Sequence, residues 1–209
     1  MKLTKILLTS ALALGISSAA NSQAQINLGG SYLKGTSDND AALWGGGVGL
    51  KFFLGDKFAV GGNVGFYPKK TGSVSNDIYD ITYSNNLTTI AGSIEYLFTD
   101  KKSVIQPYLG ADAGVSLSTI NYTYSDGNSS EIRNKNNGSY FLVGPKLGVN
   151  IGLGQAFGIF GQAKYNLTFG DGGSKSINWG NAGAAISEKP VDKFFTFDAG
   201  IYIRLAGAR

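Results

Sequence analysis

Alternation with period two, repeated in eight segments whose connections are short and long in strict turn, limits this chain more than any other feature. Successive side chains of a strand point to opposite faces, so an apolar residue at every second position marks a strand with one oily face. In residues 44–54, Trp44, Val48, Leu50, Phe52 and Leu54 share one face, and Gly45, Gly47, Gly49 and Lys51 share the other. The pattern returns in residues 58–67, 90–98, 105–117, 141–153, 157–167 and 195–205, while the phase of the first segment, 26–34, is ambiguous. Most segments reach the roughly 9 to 11 residues that a tilted strand needs to cross a bilayer.

The connections divide into two sets. Residues 55–57, 99–103 and 154–156 read as tight turns, and 35–42, 68–86, 118–138 and 170–192 as longer polar loops. A bacterial outer-membrane barrel has short periplasmic turns, long extracellular loops and an even number of strands. A soluble up-and-down barrel has no reason to sort its loops in this way. The expected fold is therefore all-β, an eight-stranded antiparallel up-and-down transmembrane β-barrel.

The position of the charges decides which face is outside. Lys51, Glu95, Asp112, Lys146, Lys164, Asp198 and Arg204 all fall on the glycine-rich face. A soluble ligand-binding barrel would turn its apolar face inward, whereas a bilayer barrel turns it outward around a polar interior. Aromatic residues near the strand ends fit interfacial girdles: Trp44, Phe52, Phe53, Phe58 and Phe66, then Tyr96, Phe98, Phe141 and Phe157, with Phe194, Phe195 and Phe197. The 31 glycines among 209 residues are about twice the usual share, which suits closely packed, strongly curved strands.

The first residues read as a secretory signal, with Lys2 and Lys5, an apolar run from Ile6 to Ile16 and a small-x-small site at Ser22-Gln23-Ala24. Residues 1–24 are thus expected to be a cleaved signal peptide and 25–209 the barrel, exported to the envelope of a Gram-negative cell. Without Lys2 and Lys5, sixteen basic residues face fourteen acidic ones with no basic run, which argues against nucleic acid as a partner. Cysteine and histidine are both absent, so disulfides, Ser-His or Cys-His catalysis and the usual nitrogen or sulfur metal sites are excluded. No metal or other cofactor is expected. Gly45-Gly46-Gly47-Val48-Gly49 mimics a nucleotide loop but lies inside a strand with no helix after it, and Asp38-Asn39-Asp40 and Asp126 with Glu131 complete no calcium loop.

At this level the mature chain resembles the small outer-membrane barrel superfamily that includes the OmpA-type transmembrane domain and the OmpW-type proteins. The residues that carry the resemblance are the last strand, Asp198-Ala199-Gly200-Ile201-Tyr202-Ile203-Arg204-Leu205, together with Gln106-Pro107-Tyr108-Leu109-Gly110-Ala111 and Gly144-Pro145-Lys146-Leu147-Gly148. The resemblance implies that Asp198, Gly200, Ile203 and Leu205 form the C-terminal signal read by the barrel-assembly machinery. Many members end on the final aromatic residue, whereas Ala206-Gly207-Ala208-Arg209 follows here. No peptidoglycan-binding domain follows either, so an anchoring role is not implied. The resemblance also implies outer-membrane lipid and lipopolysaccharide as surroundings, a monomeric state, and, by the OmpW-type likeness, a small hydrophobic ligand.

Two groups of residues are candidates for function. Counted from the tight turns, Lys51, Glu95 and Arg204 lie low in the lumen, and Asp112, Lys146, Lys164 and Asp198 lie about seven or eight residues up. These would form two mixed-sign layers. Eight strands leave an interior just wide enough for side chains to fill, and buried ions are costly unless paired, so the expected role is a plug rather than a pore. Asp112 and Asp198 could stand as an acid/base pair, but Lys146 and Lys164 at the same height would engage them instead, and no enzyme is expected. Above the membrane band the apolar phase changes sides. Tyr79, Ile81, Tyr83 and Leu87, then Ile120, Tyr122 and Tyr124, then Tyr140 and Leu142 all take the inward phase. They would form a small core closing an elevated barrel or, alternatively, the mouth of a narrow channel or binder for small hydrophobic molecules.

Overall fold

The computed structural model describes residues 23–36, 42–68, 72–76, 79–125, 131–154, 156–170 and 193–205; for 72–76, 79–85, 120–125 and 131–136 it describes the backbone. The expected leader lies almost wholly outside these residues. Nine strand segments follow one another: β1 (Ala24–Gly35), β2 (Leu43–Leu54), β3 (Phe58–Pro68), β4 (Gly72–Asn76), β5 (Tyr79–Leu97), β6 (Ile105–Ser125), β7 (Glu131–Gly152), β8 (Phe157–Phe169) and β9 (Lys193–Leu205). Both β3 and β4 pair antiparallel with β5, from Phe58↔Tyr96 to Pro68↔Asn86 and from Gly72↔Tyr83 to Asn76↔Tyr79. They are therefore two parts of one stave. Neighbouring strands pair in sequence order, and β1 pairs with β9 from Ala24↔Leu205 to Gly35↔Phe194, so eight staves close into an antiparallel barrel without a crossover.

The strand-by-strand phase follows the sequence pattern. Val48, Leu50, Val64, Ile90, Ile94, Leu109, Leu147, Ile159 and Ile201 stand exposed on the outer face, while Lys51, Glu95, Gln106, Asp112, Lys146 and Asn150 are buried inside. A water-soluble protein gains nothing by that arrangement; in a bilayer the exposed residues meet acyl chains. Aromatic residues bound the oily band at both ends. Tyr32 packs on Trp44 with ring centroids 4.9 Å apart and Tyr165 on Phe195 at the same separation, near one rim. Phe58, Tyr96 and Phe98 form an edge-to-face series at 5.2 and 5.7 Å near the other.

The ambiguous first segment proves to be a full stave. Its inward residues are Gln25, Asn27, Ser31 and Leu33, and the phase was hard to read because Leu33 turns inward and Gly29-Gly30 carries no hydropathy signal. Two connections read as long loops are instead largely strand. β6 runs eight residues beyond Leu117, on the order of 25 Å of extended chain, and β7 and β5 rise beside it with continuous register to Ser125↔Glu131 and Asp80↔Ser125. Thr, Tyr and Ile favour strands whether or not lipid is present, so polarity alone was a poor guide to where these strands end. At the opposite rim the connections are tight. Gly55 takes a left-handed φ of 72° in the β2–β3 turn, a conformation that suits glycine.

Candidate functional site

Six of the seven charged lumen residues join in one continuous ladder. Lys51 Nζ lies 2.8 Å from Glu95 Oε2, and Glu95 Oε1 lies 2.7 Å from Lys146 Nζ. Lys146 also meets Asp112 Oδ1 at 2.8 Å; Asp112 Oδ2 lies 3.3 Å from Lys164, and Lys164 in turn 3.3 Å from Asp198 Oδ2. Signs alternate at every step. Neutral groups tie the ladder to the remaining walls. Asn63 Nδ2 donates to Asp112 Oδ2 at 3.2 Å, Gln162 Nε2 to Asp198 Oδ2 at 2.7 Å, and Ser31 Oγ to Asp198.

Strand register explains why the ladder crosses heights. Lys146 on β7 is opposite Gly110 on β6, and Gly110 is opposite Glu95 on β5. The middle residue of the row has no side chain, so the lysine reaches over it to the glutamate. A Cβ on Gly110 would stand 2.9 Å from Lys146 Cε and 3.1 Å from Glu95 Cγ, so the close approach of this pair depends on glycine. On the other side, Lys146 and Lys164 are direct cross-strand partners. Like charges in that relation repel, and Asp112 offsets the repulsion by giving one oxygen to each.

Arg204 is not part of the ladder, contrary to the expected lower layer of Lys51, Glu95 and Arg204, and the two layers are not separate because Lys146 touches both Glu95 and Asp112. Arg204 Nε donates to Gln25 Oε1 at 3.0 Å and Nη1 to the Lys101 carbonyl at 2.7 Å, while Nη2 donates to Gln106 Oε1. The guanidinium also lies against the rings of Phe53 and Tyr202. It thereby links the first strand, the last strand and the β5–β6 turn at the end where the tight turns lie.

Apolar groups pack on both sides of the ladder. Phe53, Ala59, Leu97 and Tyr108 pack together below it, and the Tyr108 hydroxyl donates to Gln162 Oε1 at 2.8 Å. Leu33, Tyr67, Ala91, Leu142 and Phe194 pack together above it, with Leu43 and Leu87 against them. Phe53 and Phe194 therefore do not belong to the girdles in which the sequence placed them. Each is the inward member of an aromatic doublet, beside Phe52 and Phe195, and counting phase from Lys51 or Thr196 would have found them. Tyr67, Tyr108, Ser31, Asn63 and Gln162 also serve the site without having been singled out.

Of the expected mouth residues, Tyr140 and Leu142 are buried inward. The side chains of Tyr79, Ile81, Tyr83, Ile120, Tyr122 and Tyr124 lie outside the described residues; their register pairs Ile81 with Tyr124 and Tyr83 with Tyr122. Among the residues of the expected assembly signal, Asp198 ends the ladder, Gly200 lies on the inward phase, and Ile203 and Leu205 are exposed on the lipid side.

No protein-family model and no curated protein matches the chain. Solved structures do. The attachment invasion locus protein Ail of Yersinia pestis has a TM-score of 0.52 at 13% identity over 88% of this chain and 99% of its own. A major outer-membrane protein of Thermus thermophilus gives 0.52 at 14% identity over 87% and 99%, and Neisserial surface protein A gives 0.51 at 14% over 88% and 97%. The fold of this chain is thus that of the small outer-membrane β-barrels. At such identities the likeness is one of architecture.

Proposed function

We propose that the chain is a non-enzymatic outer-membrane barrel that contributes to envelope integrity and presents its extended hairpins and loops at the cell surface, with a lumen closed to solutes. The observation that carries this reading is the ion-pair ladder from Lys51 to Asp198 between two apolar clusters. Every carboxylate in it is held by at least one lysine, which leaves neither Asp112 nor Asp198 free to act as a base. The exposed apolar belt and its aromatic rims support the membrane setting, with lipid and lipopolysaccharide outside and insertion by the assembly machinery through the last strand. A route for small hydrophobic molecules, the alternative, would have to begin at the mouth, and the Leu33–Tyr67–Leu142–Phe194 cluster stands across it.

Planar-bilayer recording of the refolded, purified protein tests the closed lumen: only rare, brief openings are expected, and a steady large conductance overturns it. Orientation is read separately, because a chain without cysteine accepts single reporters. An impermeant thiol reagent on intact cells should label a cysteine placed at Asn128 and spare one at Lys101; the reverse pattern contradicts the topology.

A further inference from the structure

One seam of the barrel has no connection to set its register. Every other pair of neighbouring staves is consecutive in the chain, and the segment joining two such strands limits which residues can face each other. β1 and β9 meet only when the barrel closes; Ser31 and Asp198, opposite one another in that seam, are 167 positions apart. Parity rules out a slip of one residue, which would turn every side chain to the wrong face. It does not rule out a slip of two. On the lipid side Leu28 faces Ile201 and Tyr32 faces Phe197. After such a slip Leu28 would face Ala199 or Ile203, and Tyr32 would face Phe195 or Ala199, so every pairing stays apolar. Inside, Arg204 is opposite Gln25 and bonds to it, and in the slipped registers it would meet Gln23 or Asn27, again an amide.

Asp198 does distinguish these registers. From the β8 side its carboxylate is held by Gln162, directly opposite, at 2.7 Å and by Lys164 at 3.3 Å. Toward β1 it accepts a hydrogen bond from the hydroxyl of Ser31, its direct partner there. A hydroxyl has one proton to give, so the Tyr67 hydroxyl, 2.8 Å from Ser31 Oγ, donates to Ser31 in turn. This relay ties β3, β1 and β9 together, and both Ser31 and Tyr67 are buried. Slipped by two, Asp198 would stand opposite Gly29, which has no side chain, or Leu33, which has no donor. A buried polar group that loses its partner is costly. We infer that Asp198, through Ser31, is the positioning residue that sets the register in which the first and last strands close the barrel. The contact with Lys164 serves its charge, and the contact with Ser31 reads the register.

Because the chain has no cysteine, pairs of outward cysteines report the register through their disulfide yield and leave the lumen intact. Gly30 is opposite Ala199, and a Cβ added at Gly30 meets nothing within 4 Å. Gly30→Cys with Ala199→Cys reads the observed register; Gly30→Cys with Phe197→Cys, or with Ile201→Cys, reads the two slipped ones. In the refolded protein under mild oxidation the first pair should dominate. Ser31→Ala keeps every charge and should raise the yield of a slipped pair, relative to the first, at least twofold, and Asp198→Ala should raise it further. Ser31→Thr retains the hydroxyl and should return the parent ratio. If Asp198→Ala does not refold, the two Ser31 variants decide. A ratio unchanged in Ser31→Ala, or shifted as much by Ser31→Thr as by Ser31→Ala, overturns the proposal.

Discussion

The two walls of the lumen are built from opposite materials. At mid-height β5 to β9 supply Glu95, Asp112, Lys146, Lys164 and Asp198, whereas β1 to β3 supply Gly29, Gly47, Gly49, Asn63 and Gly65, with Lys51 alone charged. One wall carries the charges and the other leaves room for them. The ladder therefore runs mainly along one side of the barrel, with Asn63, Ser31 and Lys51 as its anchors on the other. A closed barrel of fixed strand number cannot widen to accept long side chains, so small residues on one wall are the condition for large ones on the facing wall.

The largest expected effect comes from breaking the charged wall at its centre. Asp112→Ala leaves Lys146 and Lys164 directly opposed, and loss of one member of a buried ion set costs about 3 to 5 kcal/mol. Reversible unfolding from lipid vesicles measures it. Combined with Lys146→Ala, the total should fall short of the sum of the single effects, because the Asp112–Lys146 contact is lost in both single changes and only once in the double. Strict additivity would mean that the two residues are not coupled.

A charge on the outer face of the neighbouring stave, β5, calibrates that loss. Ile94 is 55% exposed and lies inside the oily band, two residues from Tyr96 at its rim, so Ile94→Arg should destabilise the membrane-inserted protein by about 1 to 3 kcal/mol. The same change should be well tolerated if the outer face met water, and a neutral outcome would reverse the assignment of faces.

Two glycine substitutions sharpen the comparison between the walls. Gly110→Ala places a methyl 2.5 Å from the Ile94 carbonyl and against Lys146, and such overpacking costs about 1 to 3 kcal/mol. Gly49→Ala on the facing wall meets only ordinary contacts and should stay within about 0.5 kcal/mol of the parent. Equal costs for the two would show that the walls are packed alike.

How much of this was legible follows from what each signal depends on. The lipid-facing and inward phases of β2, β3 and β5 to β9 were readable, because alternation is a local property of a strand and the solvent on each side imposes it. β1 was not, since Gly29-Gly30 is silent and Leu33 belongs to a cluster formed with residues from distant staves. The ends of β5, β6 and β7 were also misplaced, because polar Thr, Asn and Tyr segments above the bilayer extend as strand only when a neighbouring strand continues beside them.

For the site, the sequence alone determined which charges share the lumen, and it did so through parity. Which of them touch was decided by register between strands. The Lys146–Gly110–Glu95 row and the Lys146–Lys164 opposition join residues 36, 51 and 18 positions apart, a relation that counting from the turns only approximates. Height along a stave placed Arg204 beside Lys51 and Glu95, but the direction of its side chain took it to Gln25, Gln106 and the Lys101 carbonyl. Parity is fixed by the backbone of one strand, whereas a contact between charges depends on the stagger of several, and that stagger is set only when the barrel closes.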